Sequence, residues 1–247
     1  MSGYSEDLAF IHDAGFSGFA RDAAPGLLAL LRRGGVRSGR VVDLGCGSGV
    51  WAKRLLDEGY AVHGVDISAP MIALARRRAP GARFVRASFH DTTMPPCDAV
   101  TALGECINYL FHDGSRRNEL AALFRRVHGA LRPGGIFVLD FAEPGRGGGK
   151  TPRRGFRQGD GWAILLEVEE DVTHARLTRR MTLFRKTGRS YRMSRQTHHL
   201  RLYRKAEIAA LLRAVGFSVR HLPGYGRLEL DDGHAAILAR RRGRKKG

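Results

Sequence analysis

Three glycines at alternate positions, Gly45, Gly47 and Gly49, follow an apolar run that carries the acid Asp43. Glycine lets a ligand approach the backbone closely, and a helix that starts after such a turn presents free N–H groups. A nicotinamide site usually has the spacing G-x-G-x-x-G, whereas the spacing here is G-x-G-x-G. Asp43 would repel a pyrophosphate, and the sequence has no G-x-x-x-x-G-K-[ST] loop. The turn therefore favours a cationic ligand without a phosphate chain.

A second acid, Asp66, ends the next apolar run, in 64-GVDIS-68. An acid at the end of a second parallel strand can accept hydrogen bonds from both ribose hydroxyls of a nucleoside. The two acids and the glycine turn together predict a nucleoside that has a ribose and a positive charge but no phosphate chain. S-adenosylmethionine, with its adenosine, sulfonium and ammonium, meets these requirements, and S-adenosylhomocysteine would be its product.

Four segments, taken in order, resemble the successive motifs of class I S-adenosylmethionine-dependent methyltransferases. They are 41-VVDLGCGSGVWAKRL-55, 64-GVDIS-68, 98-DAVTALGECINYL-110 and 131-LRPGGIFVLD-140. The resemblance implies an α/β fold built on a Rossmann-like, doubly wound sheet of seven mostly parallel strands, the last of them antiparallel. The cofactor would lie above the C-terminal ends of the strands.

The resemblance also implies cofactor contacts by position. Gly45 and Gly47 would lie under the cofactor, and Gly49 would let the following helix approach. Asp43 would hold the amino-acid end of the cofactor and Asp66 its ribose. Ile67 and Met71 would flank the adenine, close to Ser88 and Phe89 in the loop after the third strand. Leu103 and Gly104 would line the methionine moiety, and Tyr4 would cover the site. Cys46 would be a small side chain that fills space within the turn.

One expected contact departs from the family pattern. The loop after the third strand usually carries an acid near the adenine amino group, but Ser88 and Phe89 stand there in this sequence. Either the backbone N–H of Phe89 serves instead, or Asp91 substitutes for the missing acid.

Catalytic candidates come from the segments that should face the transferred methyl group. Methyl transfer works largely by positioning, although an amine or hydroxyl acceptor can also need a base. Glu105 and Tyr109 follow the fourth strand, and a buried acid at Glu105 could bind or deprotonate an amine. His198 and His199 lie in a strand-like run and would point to opposite faces if that strand is regular.

The hydrophobic pattern divides one predicted domain, residues 1–247, into several parts. Strand and helix patterns alternate over 36–145, which predicts a parallel sheet covered by helices on both faces. Residues 145–155 are rich in Gly and Arg and suggest a linker, and three runs with a period close to two then predict an antiparallel meander. The flanking parts are a helical cap at 1–35, the meander insertion at 156–203, a return to the core at 204–241 and a basic tail at 242–247.

The meander resembles the insertion that frames the acceptor pocket in glycine and amino-sugar N-methyltransferases. This resemblance favours a small-molecule acceptor, methylated on nitrogen or oxygen. Two alternatives are an RNA methyltransferase and a non-catalytic protein that binds the cofactor as a regulator. The edge strands of the insertion need covering, so a homodimer through this region is a further expectation.

Composition sets the remaining expectations. The 42 Lys and Arg against 24 Asp and Glu give a net charge of +18, which would suit a nucleic-acid partner. The positive charge is spread along the chain, however, so nucleic acid is not the expected substrate. The three cysteines form no C-x-x-C pair, and neither a disulfide framework nor a metal is expected. No apolar run is long enough for a membrane span and no signal peptide is recognisable, so a cytoplasmic protein is expected.

Overall fold

A computed structural model describes residues 3–111, 116–148 and 151–243. These residues form two large sheets and one small one. The main sheet has seven strands in the order β10-β13-β5-β4-β1-β2-β3, and the second has four in the order β6-β7-β8-β9. A two-stranded ribbon of β11 and β12 lies between the last two long strands in sequence. The predicted α/β class and seven-stranded sheet are confirmed.

The strands of the main sheet have four to twelve residues and are mostly buried. β13 pairs antiparallel with both β5 and β10, whereas the pairs among β1 to β5 are parallel, so the predicted antiparallel last strand is confirmed. The bounds are β1 Arg40–Leu44, β2 Ala61–Asp66, β3 Arg83–Arg86, β4 Cys97–Ala102, β5 Leu131–Ala142, β10 Phe217–Leu222, β11 Gly224–Tyr225, β12 Leu228–Glu229 and β13 His234–Arg241.

Helices cover both faces of the main sheet. Alternate side chains of β1 point to opposite faces: Val41 belongs to the apolar cluster that includes residues of α2, α3 and α4, and Val42 to the cluster that includes residues of α5 and α6. The helix bounds are α1 Glu6–Gly15, α2 Gly18–Arg33, α3 Val50–Asp57, α4 Ala69–Arg78, α5 Arg116–Ala130 and α6 Lys205–Val215. None of the described helices is long and apolar enough to cross a membrane.

The second sheet holds the first helix of the chain. α1 packs Leu8 and Ile11 against Trp162, Ile164 and other apolar side chains of this sheet. The two helices of the predicted cap therefore pack on different sheets, α1 on the second sheet and α2 on the main sheet. The strands are β6 Arg153–Gly159, β7 Trp162–Asp171, β8 Arg176–Thr187 and β9 Ser190–Arg201.

The insertion has one more strand than the sequence pattern predicts. β6 pairs antiparallel with β7 across a turn at Asp160 and Gly161. The strand begins inside the segment interpreted as a linker, 145–155, and extends past its end. Its residues, RRGFRQG, are all exposed, so they lack the apolar alternation by which a half-buried strand is recognised. The Asp-Gly pair, a typical hairpin turn, was the available signal.

Candidate functional site

The glycine turn after β1 is tightly packed on two sides and open on the third. Gly45, Gly47 and Gly49 all have positive φ, at 69°, 52° and 78°. A Cβ on Gly45 would lie 2.7 Å from the Cβ of Cys106, and one on Gly49 would lie 2.9 Å from Cα of Ala75 on α4. A Cβ on Gly47 would meet nothing within 4 Å. Gly45 and Gly49 thus permit close packing, and Gly47 leaves room for a ligand.

Asp66 is held at the end of β2 by backbone groups. Its Oδ2 accepts a hydrogen bond from the N–H of Gly47 at 2.9 Å, and its Oδ1 accepts one from Ser68 at 2.8 Å. Burial nevertheless raises the pKa of this carboxyl, although the two N–H groups oppose the shift. The bonds fix the carboxylate beside the open face of the glycine turn.

Asp43 lies on β1 and is more deeply buried. Its Oδ1 accepts a hydrogen bond from Thr101 Oγ1 at 2.7 Å, and Thr101 in turn accepts one from the indole N–H of Trp51 at 3.2 Å. Burial raises the pKa of Asp43 to about 7, because the ionised form is poorly solvated there. A cationic ligand group beside it would favour the ionised form.

These groups border a cavity of about 810 Å³ between the C-terminal ends of the main-sheet strands, α1 and the second sheet. Such a volume is typical of small-molecule sites. Gly49, whose Cβ position faces α4, does not line it. The other residues predicted to contact the cofactor all do: Tyr4, Asp43, Gly45, Cys46, Gly47, Asp66, Ile67, Met71, Ser88, Phe89, Leu103 and Gly104.

The cofactor side of the cavity fits S-adenosylmethionine. Gly47 and Gly104 both have positive φ, and a Cβ on either would project into open space, which leaves a cradle free of side chains. The Asp66 carboxylate lies beside this cradle. Ser88 is buried and its Oγ accepts a hydrogen bond from the N–H of His90 at 3.1 Å. Asp91 is exposed and does not line the cavity, which counts against it as the missing adenine contact.

Glu105 follows β4 with a positive φ of 60°, and its N–H donates to the buried Asp140 at 2.7 Å. One carboxylate oxygen accepts from Arg146 Nε and the other from Arg179 Nη2, both at 2.6 Å. The two guanidinium groups overcome the effect of burial and lower the pKa of Glu105 to about 2. A carboxylate this acidic is a poor base, which argues against Glu105 as the group that deprotonates an amine.

His198 lines the cavity among aromatic rings. Its ring stacks on that of Tyr4 at a centroid distance of 5.1 Å and meets Tyr109 and Phe111 edge-on at 5.4 and 5.6 Å. Its Nε2 is buried and makes no hydrogen bond with any described residue. Burial and the nearby Arg179 lower the pKa of His198 to about 4, so the imidazole is neutral at pH 7.

The two histidines of β9 point to opposite faces, as expected for a regular strand. His199 is exposed, lies outside the cavity lining and contacts Thr178 Oγ1 at 3.2 Å. Its position on the outer face argues against the catalytic role predicted for it. His198 and Tyr109 are brought together because the N–H of Leu110 donates to the carbonyl of His199 at 2.8 Å.

The residues Gly3 to Ser5 bridge the two sheets over the cavity. The carbonyl of Tyr4 accepts a hydrogen bond from Ser68 Oγ at 2.9 Å, beside Asp66. On the other side, Gln196 of β9 donates to the carbonyl of Gly3 at 2.9 Å and accepts from the N–H of Ser5 at 3.2 Å. The Tyr4 hydroxyl lies 2.9 Å from that of Tyr109. This bridging segment places the Tyr4 ring against the cavity, in agreement with a covering role.

Sequence reasoning missed the arginines of the cavity. Arg146 and Arg179 are the ion-pair partners of Glu105, and three more arginines lie on the exposed strand β6. No motif connects them, because they reach the site only through the packing of the second sheet. The high density of arginine in 145–157 was the available signal. The cavity-lining set is Arg146, Arg153, Arg154, Arg157 and Arg179.

Comparisons with known proteins agree with this geometry. A methyltransferase domain family model matches residues 41–135. A dTDP-3-amino-3,6-dideoxy-alpha-D-glucopyranose N,N-dimethyltransferase of Streptomyces fradiae is 27% identical over 239 residues, which is 90% of this chain and 88% of that protein. A glycine/sarcosine N-methyltransferase of Parasynechococcus marenigrum is 32% identical over 62% of this chain and 56% of its own length.

A crystal structure also shares the fold along nearly the whole chain. The sugar N-methyltransferase KedS8 from Streptoalloteichus superposes with a TM-score of 0.77 at 21% identity, covering 98% of this chain and 97% of that one. The family model and the relatives agree on methyl transfer, and the solved structure agrees on the fold. Residues 41–135 therefore form a methyltransferase domain, and the protein is an enzyme that transfers methyl groups from S-adenosylmethionine.

Proposed function

We propose that the protein methylates the nitrogen of an amine on an anionic small molecule, and that this molecule is an amino sugar linked to a nucleotide. The observation that carries the proposal is the separation of charge across the cavity. Asp43 and Asp66 border the glycine turn, whereas arginines of β6, β8 and the turn after β5 line the other side. Arg146 and Arg179 there are paired with Glu105, which leaves the arginines of β6 as the cations available to an acceptor. A cationic cofactor and an anionic acceptor would each meet opposite charge.

On the cofactor side, Asp66 would bind the ribose and Asp43 the amino-acid end. When bound, S-adenosylmethionine supplies a methyl group on a positively charged sulfur, which needs no further activation. The protein's own contribution is to hold the acceptor nitrogen in line and to exclude water. The rings of Tyr4, Tyr109 and Phe111 enclose the space next to His198 and serve the second purpose.

His198 is the residue that we expect to orient the acceptor. An amine attacks only as the neutral base, and its N–H can donate to the unpaired Nε2 of a neutral imidazole. Because the pKa of His198 is about 4, the imidazole is neutral at pH 7, and Nε2 accepts in the tautomer that carries its proton on Nδ1. The bond would aim the amine lone pair at the methyl group, and the ammonium formed by methylation would lose its proton to solvent.

The arginines of β6 suit the charged end of the acceptor. Arg153 and Arg157 are exposed on the face of β6 that borders the cavity, whereas Arg154 pairs with Glu167 on the other face. The guanidinium of Arg157 lies 5.0 Å above the ring of Phe16. Guanidinium groups bind phosphate oxygens in pairs and stack on flat rings. A nucleoside diphosphate attached to the sugar would match both properties, and the similarity along most of the chain to the Streptomyces fradiae enzyme supports this choice.

The acceptor assay compares three candidates under the same conditions. The purified protein is mixed with S-adenosylmethionine and with dTDP-3-amino-3,6-dideoxyglucose, glycine or transfer RNA, and formation of S-adenosylhomocysteine is followed. We expect rapid turnover with the amino-sugar nucleotide alone. Turnover with glycine would redirect the proposal to amino acids, and turnover with RNA to the nucleic-acid alternative. Binding of S-adenosylhomocysteine without turnover on a broad set of amines would favour a regulator.

Self-association through the insertion is a further part of the proposal. The outer face of the second sheet exposes Phe156 and Leu165, which are cross-strand partners, and Met193 lies on the same face two strands away from Leu165. Adjacent exposed apolar side chains on one sheet face support a protein contact. Light scattering should give the mass of a dimer for the native chain and a lower mass after Leu165→Lys.

A further inference from the structure

The turn that carries Arg146 rests on a carboxylate of the second sheet. Glu170 lies on β7 and is 7% exposed. Its Oε1 accepts a hydrogen bond from the N–H of Gly145 at 2.7 Å, and its Oε2 accepts one from the N–H of Gly147 at 2.8 Å. The two oxygens therefore bind the backbone on both sides of Arg146.

Close packing leaves this turn little freedom while those bonds are intact. A Cβ on Gly147 would lie 2.7 Å from the Cβ of Glu170, and a Cβ on Gly233 would lie 2.5 Å from the backbone nitrogen of Arg146. The turn is held between β7 on one side and the loop before β13 on the other. Without Glu170, three glycines at positions 145, 147 and 148 would leave this segment with many alternative conformations.

From the held turn, the Arg146 side chain reaches the acceptor side of the cavity. Its Nε donates to Glu105 at 2.6 Å, and its Nη1 lies 3.4 Å from Asp231 Oδ2. Arg179 occupies the other oxygen of Glu105 and also donates to the hydroxyl of Tyr109 at 3.3 Å. The position of Arg146 therefore affects Glu105, which holds Arg179 in place, and through Arg179 it affects Tyr109.

We propose that Glu170 is a positioning residue that sets Arg146 against Glu105 and so determines how tightly the acceptor binds. It lies outside the cavity lining and touches neither ligand, and it acts through two backbone N–H groups. A carboxylate is required because both of its oxygens accept, whereas glutamine would turn an N–H donor toward one of the two donors. The effect on the acceptor rests on the proposed function, but the link between Glu170 and Arg146 does not.

The sequence provides a matched control at the next position. Glu169 lies on the same strand with its side chain on the opposite face, where it pairs with Arg180 at 2.8 Å. The variants are Glu170→Gln, Glu169→Gln, Arg146→Met and the two double variants that combine each glutamine change with Arg146→Met.

The first measurement needs no acceptor. We expect Glu170→Gln to speed hydrogen exchange at the amides of residues 145 and 147, and to lower the midpoint of urea unfolding. In the Arg146→Met background the same change should lower the midpoint less, because coupled residues are not additive. Glu169→Gln should leave hydrogen exchange at these amides unaltered. Its effect on the urea midpoint should be the same in the native and Arg146→Met backgrounds. Equal shifts of Glu170→Gln in both backgrounds would overturn the link.

The second measurement uses dTDP-3-amino-3,6-dideoxyglucose as the acceptor. Glu170→Gln should raise KM for this acceptor about fivefold and leave kcat and the Kd of S-adenosylhomocysteine unchanged. It should have no such effect once Arg146 is Met. An unchanged KM in a protein that methylates this acceptor would overturn the proposal. If the native protein does not methylate it, the proposed function fails, and the unfolding cycle still decides the link.

Discussion

The two sides of the cavity hold their ligands with different parts of the chain. The cofactor side consists of the turn with the open Gly47 and two carboxylates on neighbouring strands, all within residues 43–68, and is completed by Gly104 after β4. The acceptor side consists of side chains from the N-terminal segment, the segment after β4, the turn after β5 and the second sheet. The cofactor side is thus set by local backbone geometry. The acceptor side depends on how two sheets pack, so changes on one side should leave binding on the other intact.

The largest expected effect comes from His198 and should be confined to the acceptor side. His198→Phe keeps the aromatic ring but removes the nitrogen that we propose orients the amine, so kcat/KM for the amino-sugar nucleotide should fall at least about a hundredfold. Binding of S-adenosylhomocysteine, measured by calorimetry, should be unchanged. His199→Phe, on the exposed face of the same strand, is the control and should retain full turnover. Equal losses in the two variants would remove His198 from the mechanism.

Asp66 provides the converse test on the cofactor side. Asp66→Ala removes the carboxylate that binds the N–H groups of Gly47 and Ser68, and it should weaken binding of S-adenosylhomocysteine by about 1–3 kcal/mol. Asp91→Ala should leave this affinity unchanged, since Asp91 lies outside the cavity lining. If the Asp91 variant binds weakly and the Asp66 variant binds normally, the ribose site has been misplaced.

Asp43 should make cofactor binding depend on pH. Its pKa is about 7 in the free protein, and a cationic ligand group favours the ionised form. Affinity for S-adenosylhomocysteine should therefore rise by up to about tenfold per unit as pH increases toward 7, and then level off. Asp43→Asn should remove this dependence. A native profile that is flat between pH 5 and 8 would contradict the assignment.

The same shift acts on folding with the opposite sign. The folded pKa of Asp43 is raised from 3.8 to about 7, so between these two pH values the folded protein binds more protons than the unfolded protein. The resulting contribution to stability is therefore lost as pH rises from 3.8 through 7. His198 behaves differently: its folded pKa is lowered from 6.5 to about 4, so stability is lost as pH falls through that range. Urea unfolding of Asp43→Asn and His198→Phe against pH should show these opposite changes.

The smallest expected effect concerns the bridging segment, Gly3 to Ser5, which contacts both sides. Gln196→Ala removes two hydrogen bonds to the backbone of Gly3 and Ser5, and should loosen the placement of Tyr4. Affinity for S-adenosylhomocysteine and for the acceptor should each fall about fivefold. An effect on the acceptor alone would show that the bridging segment belongs to the acceptor side.

The difference between the two sides also explains what the sequence could predict. Gly47 and Asp66 are predictable because a motif and the ends of adjacent parallel strands place them locally. Arg146 and Arg179 meet Glu105 only through the packing of the second sheet, which no local pattern describes. The sequence alone identified both His198 and His199 as candidates. The register of β9 in the structure shows that His198 is the buried one of the two.

The most direct test of the central claim is to locate the transferred methyl group. The protein is incubated with S-adenosylmethionine carrying a labelled methyl group and with dTDP-3-amino-3,6-dideoxyglucose, and the product is examined by NMR. We expect one or two labelled methyl groups on the sugar nitrogen. A label on a hydroxyl oxygen, or an unlabelled sugar recovered with a protein that still binds S-adenosylhomocysteine, would contradict it.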